Sequence, residues 1–458
     1  MSLLGKLRSL VRKVKPGFIL MIPVFLSCET SDDVGVQYQL ESGADVNFLE
    51  FDLNATNIVV DSLRTDGENR LLVGVYQDDL IGTVTAQSYF STRIRSSNLP
   101  SNSVGEGFFV DSVRMVLEST TSIPLAQQLT QSFAVHTLQD TLSGSLVFLS
   151  STSETLADQI GSFEENYLTS DTLTGNILLE NSFANALFDN MEVGENVLGL
   201  SDWPSLAIVP STNSQLINEI TLDSDTAGLY LYITDPEGIE EIVNNDTTFR
   251  DTTYVVEFNF FASTVAPGYV SLERNKAGSP FENLSDNDTS ELASGSTIID
   301  VLGGISTRIS VGPIEEFFQQ VAREERSIII NNASLSFELE SDVLRDTLET
   351  FYSFLYQNSG YVGSGLVNNP FSNVIISDDG FLRGQPNPAQ SVLNRDRTEL
   401  TMNATLFFQQ LYNDFLSDGE NSISVEEFLF ISRDDITLRR LIIPDGGIKL
   451  NLYFTEVN

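Results

Sequence analysis

Apolar and polar residues alternate one for one in many short stretches beyond residue 45. In TTYVVEFNFF, residues 252–261, the larger apolar side chains of Tyr254, Val256, Phe258 and Phe260 fall on one face. Successive side chains of a strand point to opposite faces of a sheet, so this period of two predicts β-strands with one face against a core. The alternation recurs in NFLEFDL, SVRMVLE, SFAVHTL, GSLVFL, GLYLYIT, STRISV, SLSFELE, DITLRRLII and IKLNLYFTEV.

A smaller number of segments show the spacing of amphipathic helices. In residues 313–323, Ile314, Phe317, Phe318 and Val321 follow the i, i+3, i+4, i+7 pattern, and the segment opens on a proline, which suits a first helical position. The other two such segments are 182–191 and 403–419. Because Asp, Asn, Gly and Ser turns separate the many short strands, we predict a mainly β fold, with one or more antiparallel β-sandwich-like domains and a few short capping helices.

The Gly-, Pro- and Ser-rich segment Glu195–Ser214 lies between two strand-rich halves and suggests a domain boundary. We therefore predict an N-terminal β domain in residues 46–200 and a C-terminal β domain in residues 201–458. A chain of this class can also interleave its strands across such a segment.

The composition describes a folded and strongly acidic chain. Its 458 residues are 41% hydrophobic and carry 64 Asp and Glu against 24 Lys and Arg, a net charge of −40. This acidity argues against nucleic acid as a partner, since a polyanion would be repelled. Nucleotide binding has no support either, because the sequence has neither a G-x-x-x-x-G-K-[ST] loop nor a G-x-G-x-x-G segment between a strand and a helix.

The first 27 residues have the opposite charge. They contain five basic residues and no acid, and the basic residues precede the nine-residue apolar run Phe18–Leu26. That run is shorter than the roughly 20 residues that span a bilayer. The pattern predicts a secretory signal in residues 1–27. The rest of the chain then has 19 Lys and Arg against 64 Asp and Glu, a net charge of −45.

The only cysteine, Cys28, follows this segment directly. A single cysteine cannot form a disulfide within the chain, and a nucleophilic thiol would need a nearby base to lower its pKa. A buried core cysteine fits poorly just behind an apolar signal segment. FLSC resembles instead the lipobox of bacterial lipoproteins, in which the cysteine is acylated and becomes the first residue. The resemblance implies an outer-membrane anchor at Cys28, because two or more acyl chains suffice for stable attachment.

We predict an acidic tether over residues 28–45, which begins with CETSDD. The residues directly behind the cysteine resemble the surface-export signal of Bacteroidota lipoproteins, which here comprises Glu29, Ser31, Asp32 and Asp33. The resemblance implies a lipid-anchored protein that faces the cell exterior. The alternative is an ordinary polar tether on a periplasmic lipoprotein.

A second pattern agrees with export. Asp followed by Ser or Thr and then a small or aliphatic residue or Thr resembles the O-glycosylation sequon of exported Bacteroidota proteins. The candidate residues are Ser62, Ser112, Thr141, Thr172, Thr226, Thr247, Thr252 and Thr347. Asp-Ser and Asp-Thr also favour turns, so the pattern supports the compartment without assigning a site.

Groups for catalysis are few. The only histidine, His136, sits in the alternating segment SFAVHTLQD, where a structural role is the simpler interpretation. As a catalytic base it would need a serine partner, and no G-x-S-x-G elbow exists. One cysteine and one histidine exclude Cys/His zinc sites and Cys–His catalysis. We predict no catalytic residues and a protein that is not an enzyme.

Carboxylates remain as the abundant reactive groups. Calcium needs closely spaced oxygen ligands, which two acidic loops could supply through Asp223 and Asp225 and through Asp286 and Asp288, although such loops are usually solvated turns. A glycoside hydrolase needs two carboxylates about 5 to 10 Å apart across a cleft. We expect no cofactor, with calcium as the one candidate ion, and a carboxylate-based hydrolase is the least favoured function.

Several segments together resemble a large family of Bacteroidota outer-membrane lipoproteins catalogued as a domain of unknown function. They are LLVGVYQDDLIGTVTAQSYFSTRI (71–94), GYVSLERNKAGSPF (268–281), VLGGISTRISV (301–311), IIINNASLSFEL (328–339) and a closing strand. The resemblance implies a β-rich lipoprotein and brings no reaction or catalytic residue. Gly303 and Gly304 in the third segment predict a bend before a strand. Arg274 in the second could pair with a carboxylate or bind a ligand.

Related surface lipoproteins often sit on outer-membrane β-barrels, which suggests a partner class. We predict an interaction or accessory subunit of an outer-membrane protein assembly, secretion or transport complex. It would use strand edges and the outward face of GLYLYIT, where Tyr230 and Tyr232 alternate with core residues. The alternative is a surface glycan-binding lipoprotein of a nutrient-uptake system, which a single tryptophan, Trp203, makes less favourable.

Overall fold

The alternating segments assemble into three antiparallel sheets in the computed structural model of this chain. The structure describes residues 46–60, 65, 70–120, 129–142, 148–167, 173–200, 203–211, 216–222, 226–243, 246–261, 268–286, 288–340, 351–357, 360–361, 392–396, 398–418, 427–432 and 439–457. The predicted mainly β, antiparallel fold class is confirmed.

The described residues contain 24 strands. They are β1 (Val46–Asp52), β2 (Ala55–Val59), β3 (Arg70–Asp78), β4 (Gly82–Ser97), β5 (Phe109–Thr120), β6 (Leu129–Leu138), β7 (Leu156–Tyr167), β8 (Leu173–Leu178), β9 (Leu206–Pro210), β10 (Ile217–Thr221), β11 (Gly228–Val243), β12 (Asp246–Phe261), β13 (Gly268–Asn275), β14 (Thr289–Ser290), β15 (Thr297–Asp300), β16 (Ile305–Ser310), β17 (Ser327–Glu338), β18 (Phe351–Gln357), β19 (Gly360–Tyr361), β20 (Val392–Leu393), β21 (Glu399–Asn403), β22 (Glu427–Ser432), β23 (Arg440–Ile443) and β24 (Ile448–Val457).

All three predicted helices are present, as α1 (Asn181–Asp189), α2 (Gly312–Arg323) and α3 (Thr405–Asp418). Helix α2 has a proline in its first turn and buries Ile314, Phe318 and Val321, as the spacing of its apolar residues predicts. Short 3₁₀ turns span Pro100–Asn102 and Val197–Gly199. Of the predicted strand segments, most of GSLVFL lies outside the described residues.

The largest sheet has eleven strands, nine of them in the order β12-β11-β5-β10-β3-β4-β9-β6-β7, with β8 on β5 and β13 on β4. Strand β12 also pairs with β4, from Val256 opposite Ser97 to Phe261 opposite Ser91. Six strands therefore close into a ring. Core residues such as Val113, Leu231 and Phe258, all at most 1% exposed, belong to the large hydrophobic cluster of this sheet.

The boundary predicted between residues 200 and 201 falls inside this sheet. Strand β9 follows the boundary in sequence but pairs with β4 and β6, which precede it. Strand β10 likewise pairs with β3 and β5. The strands thus interleave, and residues 46–458 form one compact unit.

The other two sheets enclose a second core. A five-stranded sheet has the order β1-β24-β17-β21-β20, and an eight-stranded sheet has the order β14-β2-β16-β22-β18-β19, with β15 attached to β16 and β23 attached to β15. Helices α2 and α3 pack into the core between them, where Phe318 lies 5.0 Å from Tyr412 between ring centres. The inner face of β24 is buried as predicted, through Ile448, Leu450, Leu452 and Phe454.

Candidate interaction surface

Exposed apolar side chains concentrate on the outer face of the five-stranded sheet. Six of the eleven large apolar residues that are exposed within the described ranges belong to β1, β17 or β24. Five of these share the outer face, and we call them the apolar surface: Val46, Phe48, Ile329, Tyr453 and Val457. Scattered single apolar residues are normal on proteins, whereas a cluster of exposed apolar residues is a candidate site of interaction.

Strand pairing places these side chains next to one another. Thr455 on β24 is opposite Val46 on one side and Ile329 on the other. In the adjacent position Phe48 is opposite Tyr453, and their ring centres lie 4.8 Å apart. Phe48 is 50% exposed and Tyr453 is 42% exposed, so the aromatic pair is open to a partner.

The apolar surface continues to an open strand edge. Within the described chain β1 pairs only with β24, over seven consecutive residues without a register shift. The amide of Leu53 donates to the carbonyl of Ile448 at 3.0 Å, one position beyond the last pair. Opposed residues of antiparallel strands alternate between hydrogen-bonded and non-hydrogen-bonded pairs. The backbone groups of Val46, Phe48, Glu50 and Asp52 therefore face the open edge.

Acidic residues occupy the other end of the same face. Lys449 Nζ lies 3.2 Å from Glu50 Oε1, and both side chains are solvent-accessible. The hydrogen bond and the charge of Glu50 raise the pKa of Lys449, and Asp52 adds a smaller effect in the same direction. One ammonium group thus neighbours two carboxylates, which leaves this end of β1 negative.

The tyrosine face that the sequence suggested lies in the interior of a sheet. Strand β11 pairs with β12 on one side and β5 on the other. Leu229, Leu231 and Ile233 are buried as predicted, while Tyr230 and Tyr232 are half-buried. The Tyr230 hydroxyl donates to the carbonyl of Thr226 at 2.8 Å. This strand offers half-buried tyrosines and no edge.

Sequence reasoning missed β1 as the exposed strand, although a signal was present. Apolar residues occur on both faces of VNFLEF, with Val46 and Phe48 on one and Leu49 and Phe51 on the other. A strand with one core face and one solvent face would show polar residues on the second. Apolar residues on both faces therefore indicate a second contact surface.

The predicted lipidation and export residues lie outside the described residues. These are Cys28, Glu29, Ser31, Asp32 and Asp33. Their assignment stays a prediction. Within the described part of the chain, no helix is long and apolar enough to cross a bilayer.

The glycosylation candidates are dispersed. Ser62, Thr172 and Thr347 lie outside the described residues, and Thr247 is described only by its place in β12. Thr141 and Thr226 are exposed, and Thr226 donates a hydrogen bond to Glu118. Ser112 and Thr252 are half-buried, on β5 and β12. The exposed pair is the more accessible to a modifying enzyme.

Only two of the four calcium candidates lie within the described residues. Asp223 and Asp225 lie outside the described residues. Asp286 and Asp288 are exposed, and Asp288 Oδ2 accepts a hydrogen bond from the Ser285 amide at 2.8 Å. That bond is ordinary turn chemistry. Where the structure describes the chain, it contains no group of three or more His, Cys, Asp or Glu residues placed to hold a metal ion.

The residues weighed for chemistry have structural surroundings. His136 is half-buried on β6, and its Nδ1 has no hydrogen-bond partner among the described residues. Trp203 is 2% exposed, and its indole N–H donates to the carbonyl of Leu200 at 3.3 Å. Its ring packs edge-on against Phe258, so it is a core residue.

Arg274, on β13, binds the turn that contains the predicted glycine bend. Arg274 Nε donates to the carbonyl of Leu302 at 2.7 Å and Nη2 to that of Val301 at 3.0 Å. Gly304 has φ 63°, and a Cβ there would lie 2.9 Å from the carbonyl oxygen of Val60. The bend between β15 and β16 is thus confirmed, and Arg274 secures it through backbone carbonyls.

A buried charge cluster joins two sheets. Arg440 on β23 lies 3.0 Å from Asp78 on β3 and 3.8 Å from Asp300 on β15, and all three side chains are at most 3% exposed. Burial raises the pKa of Asp78, but the hydrogen bond and charge of Arg440, with hydrogen bonds from Leu80 and Tyr76, outweigh it. The net pKa is lowered. With so little exposure the cluster serves the fold.

Two surface depressions each contain one carboxylate among their lining residues. One, of about 460 Å³, has Asp158 beside Trp203 and Phe183. The other, of about 420 Å³, has Glu282 beside Arg274 and Lys276. Neither brings together the pair of acids that a glycoside hydrolase requires.

Comparison with protein-family models and with curated proteins gave no match for this chain. The resemblance to a lipoprotein family therefore stays a prediction from the sequence.

Proposed function

We propose that this protein is a non-enzymatic, lipid-anchored subunit at the outer face of the outer membrane, where it binds a protein partner in an assembly, secretion or transport complex. The anchor is Cys28, supported by the basic and apolar segment before it and the acidic residues behind it. The partner class is an outer-membrane β-barrel or one of its accessory lipoproteins.

One observation carries the proposal. The open edge and two members of the apolar surface, Val46 and Phe48, belong to β1, the first described strand after the predicted tether, which ends at residue 45. Seventeen residues, 29–45, reach at most about 60 Å when fully extended. A protein held within that distance of the membrane presents its most apolar exposed surface where integral membrane proteins are available.

The composition of the surface supports a protein partner. Aromatic residues are enriched at the centres of protein interfaces, and Lys and Glu are depleted there. The apolar surface contains the Phe48–Tyr453 pair, and none of its five members is charged. The flanking charges, Glu50 and Lys449, suit the polar rim of an interface.

Three measurements on one strain test the proposal. An alkyne-labelled fatty acid should label the wild-type protein and leave Cys28→Ser unlabelled. Protease added to intact cells should degrade the labelled protein. Affinity purification from detergent-solubilised outer membranes should then recover one integral outer-membrane protein in a stoichiometric amount. Protection from protease until the membrane is opened would contradict surface exposure, and recovery of no stoichiometric partner would contradict the subunit role.

A further inference from the structure

The edge of β1 differs from that of β7, a longer strand that ends a described sheet. Strand β7 ends the eleven-stranded sheet, but its pairing with β6 has two register shifts, and acids such as Asp158 and Glu164 lie along it. Bulges and charges are the usual protection of an edge against further pairing. Strand β1 has no register shift and neither lysine nor proline, and its two acids, Glu50 and Asp52, lie toward one end and leave Val46 and Phe48 uncharged.

The backbone of β1 is already arranged for another strand. The amides and carbonyls of Val46, Phe48, Glu50 and Asp52 face the open edge, as derived from the β1–β24 register. A strand added there would lie about 4.8 Å away and could bond to these groups along the length of β1. Its side chains on the outer face would stand opposite the same four residues.

The side chains of β1 specify the chemistry of such a strand. Val46 and Phe48, both at least half exposed, favour apolar partners. Glu50 and Asp52 both neighbour the ammonium of Lys449, so an additional cation opposite them would be stabilising. We infer that the β1 edge binds an extended strand of the outer-membrane partner, with basic residues opposite Glu50 and Asp52 and apolar residues opposite Val46 and Phe48.

A second copy of this chain fits the edge poorly. Antiparallel pairing of two β1 strands about Leu49 would set Val46 against Asp52 and Phe48 against Glu50. The mature chain also carries a net charge of −45, with 19 Lys and Arg against 64 Asp and Glu, so two copies repel each other. The inference rests on the proposed function for the identity of the partner, while the strand chemistry rests on β1 itself.

A designed peptide tests the inference without the natural partner. Lys-Thr-Lys-Thr-Val-Thr-Val, laid antiparallel to β1, sets lysines against Asp52 and Glu50 and valines against Phe48 and Val46. Binding to the full mature chain with serine at position 28 is followed by fluorescence anisotropy and by hydrogen exchange of residues 46–52. The peptide should slow exchange in this segment and bind about tenfold more tightly than a scrambled peptide of the same composition. The reversed sequence tests the parallel orientation.

Two variants separate backbone pairing from charge. Glu50→Pro removes an amide that faces the edge and leaves the β24 bonds in place, so it should weaken peptide binding about tenfold, whereas Glu50→Gln should weaken it less. Thermal melting should show that both variants remain folded. Asp52→Lys should favour a peptide with glutamates in place of the lysines. The Asp52→Lys variant tests charge complementarity even if Glu50→Pro does not fold.

The outcomes are distinct. Equal binding of the basic and scrambled peptides, or unchanged exchange in residues 46–52 with both orientations, would overturn the inference. A membrane partner that co-purifies equally with wild type and Glu50→Pro would overturn it too and leave the proposed function standing. Concentration-dependent dimers of the mature chain in light scattering would identify a second copy as the occupant instead.

Discussion

At the scale of single residues, the most informative positions are buried charges, because each needs a compensating partner. Arg440 is buried between two carboxylates that belong to different sheets. Breaking a buried ion pair by removing one partner is costly because the remaining charge has no compensation. This cluster therefore sets a test of how the sheets are joined.

Arg440→Ala should destabilise the protein by about 3 to 5 kcal/mol, since Asp78 and Asp300 would remain buried without the guanidinium. The measurement is the free energy of unfolding in urea. The neighbouring Arg439 is exposed, so Arg439→Ala serves as the control and should cost far less. Equal losses of unfolding free energy for the two variants would show that the charge cluster does not stabilise the packing of the two sheets.

The same cluster predicts a pH dependence. The folded pKa of Asp78 lies below its unfolded value of 3.8. A lowered pKa means that the stabilisation is complete well above the unfolded value and is lost as the pH falls through the folded pKa. Unfolding free energies measured from pH 6 down to pH 2.5 should therefore fall more steeply for wild type than for Asp78→Asn. Parallel curves would contradict the shift.

At the scale of elements, local patterns predicted most of what the structure shows. The spacing of apolar residues identified all three helices, and the alternation in IKLNLYFTEV identified the buried face of β24. The alternation in GLYLYIT was also correct, but the tyrosines of its outward face are half-buried, and β11 has neighbours on both sides. A period of two gives the face of each side chain but not the neighbours of a strand.

Helix α2 provides a test at this scale. Phe318 is fully buried and packs against Tyr412 and Phe415 of α3, whereas Glu316 on the same helix is exposed. Phe318→Ala should cost about 3 to 5 kcal/mol of unfolding free energy, because it leaves a cavity in the second core. Glu316→Ala should change it by about 0.5 kcal/mol or less. A small loss for both would mean that the helix caps the sheets without filling their core.

At the scale of the whole molecule, long-range pairing decides what sequence patterns cannot. Strand β9 lies within the Gly-, Pro- and Ser-rich segment and β10 follows it, yet both insert among earlier strands. Arg440 meets Asp78 over 362 positions of sequence. Neither contact leaves a local signature. The apolar surface likewise forms only when β1, the first described strand, pairs with β24, the last one.

The acidic charge and the apolar surface both bear on the proposed binding of a partner protein. A chain with a net charge of −45 after residue 27 is kept soluble by self-repulsion, and its charge steers it toward basic partners. The five members of the apolar surface then supply the contact area that charge alone does not. Both properties support the proposed role as an interaction subunit.

The most direct test of this account compares two exposed phenylalanines. Phe48 in the apolar surface is 50% exposed, and Phe109 on β5 is 49% exposed, so Phe48→Ser and Phe109→Ser remove matched side chains from different places. The measurement is the amount of outer-membrane partner recovered with each variant from solubilised membranes. We predict that Phe48→Ser loses at least about 90% of the partner, as expected for a central aromatic contact of about 1.4 kcal/mol or more, and that Phe109→Ser retains it. Equal recovery with both variants would contradict the apolar surface as the site of interaction.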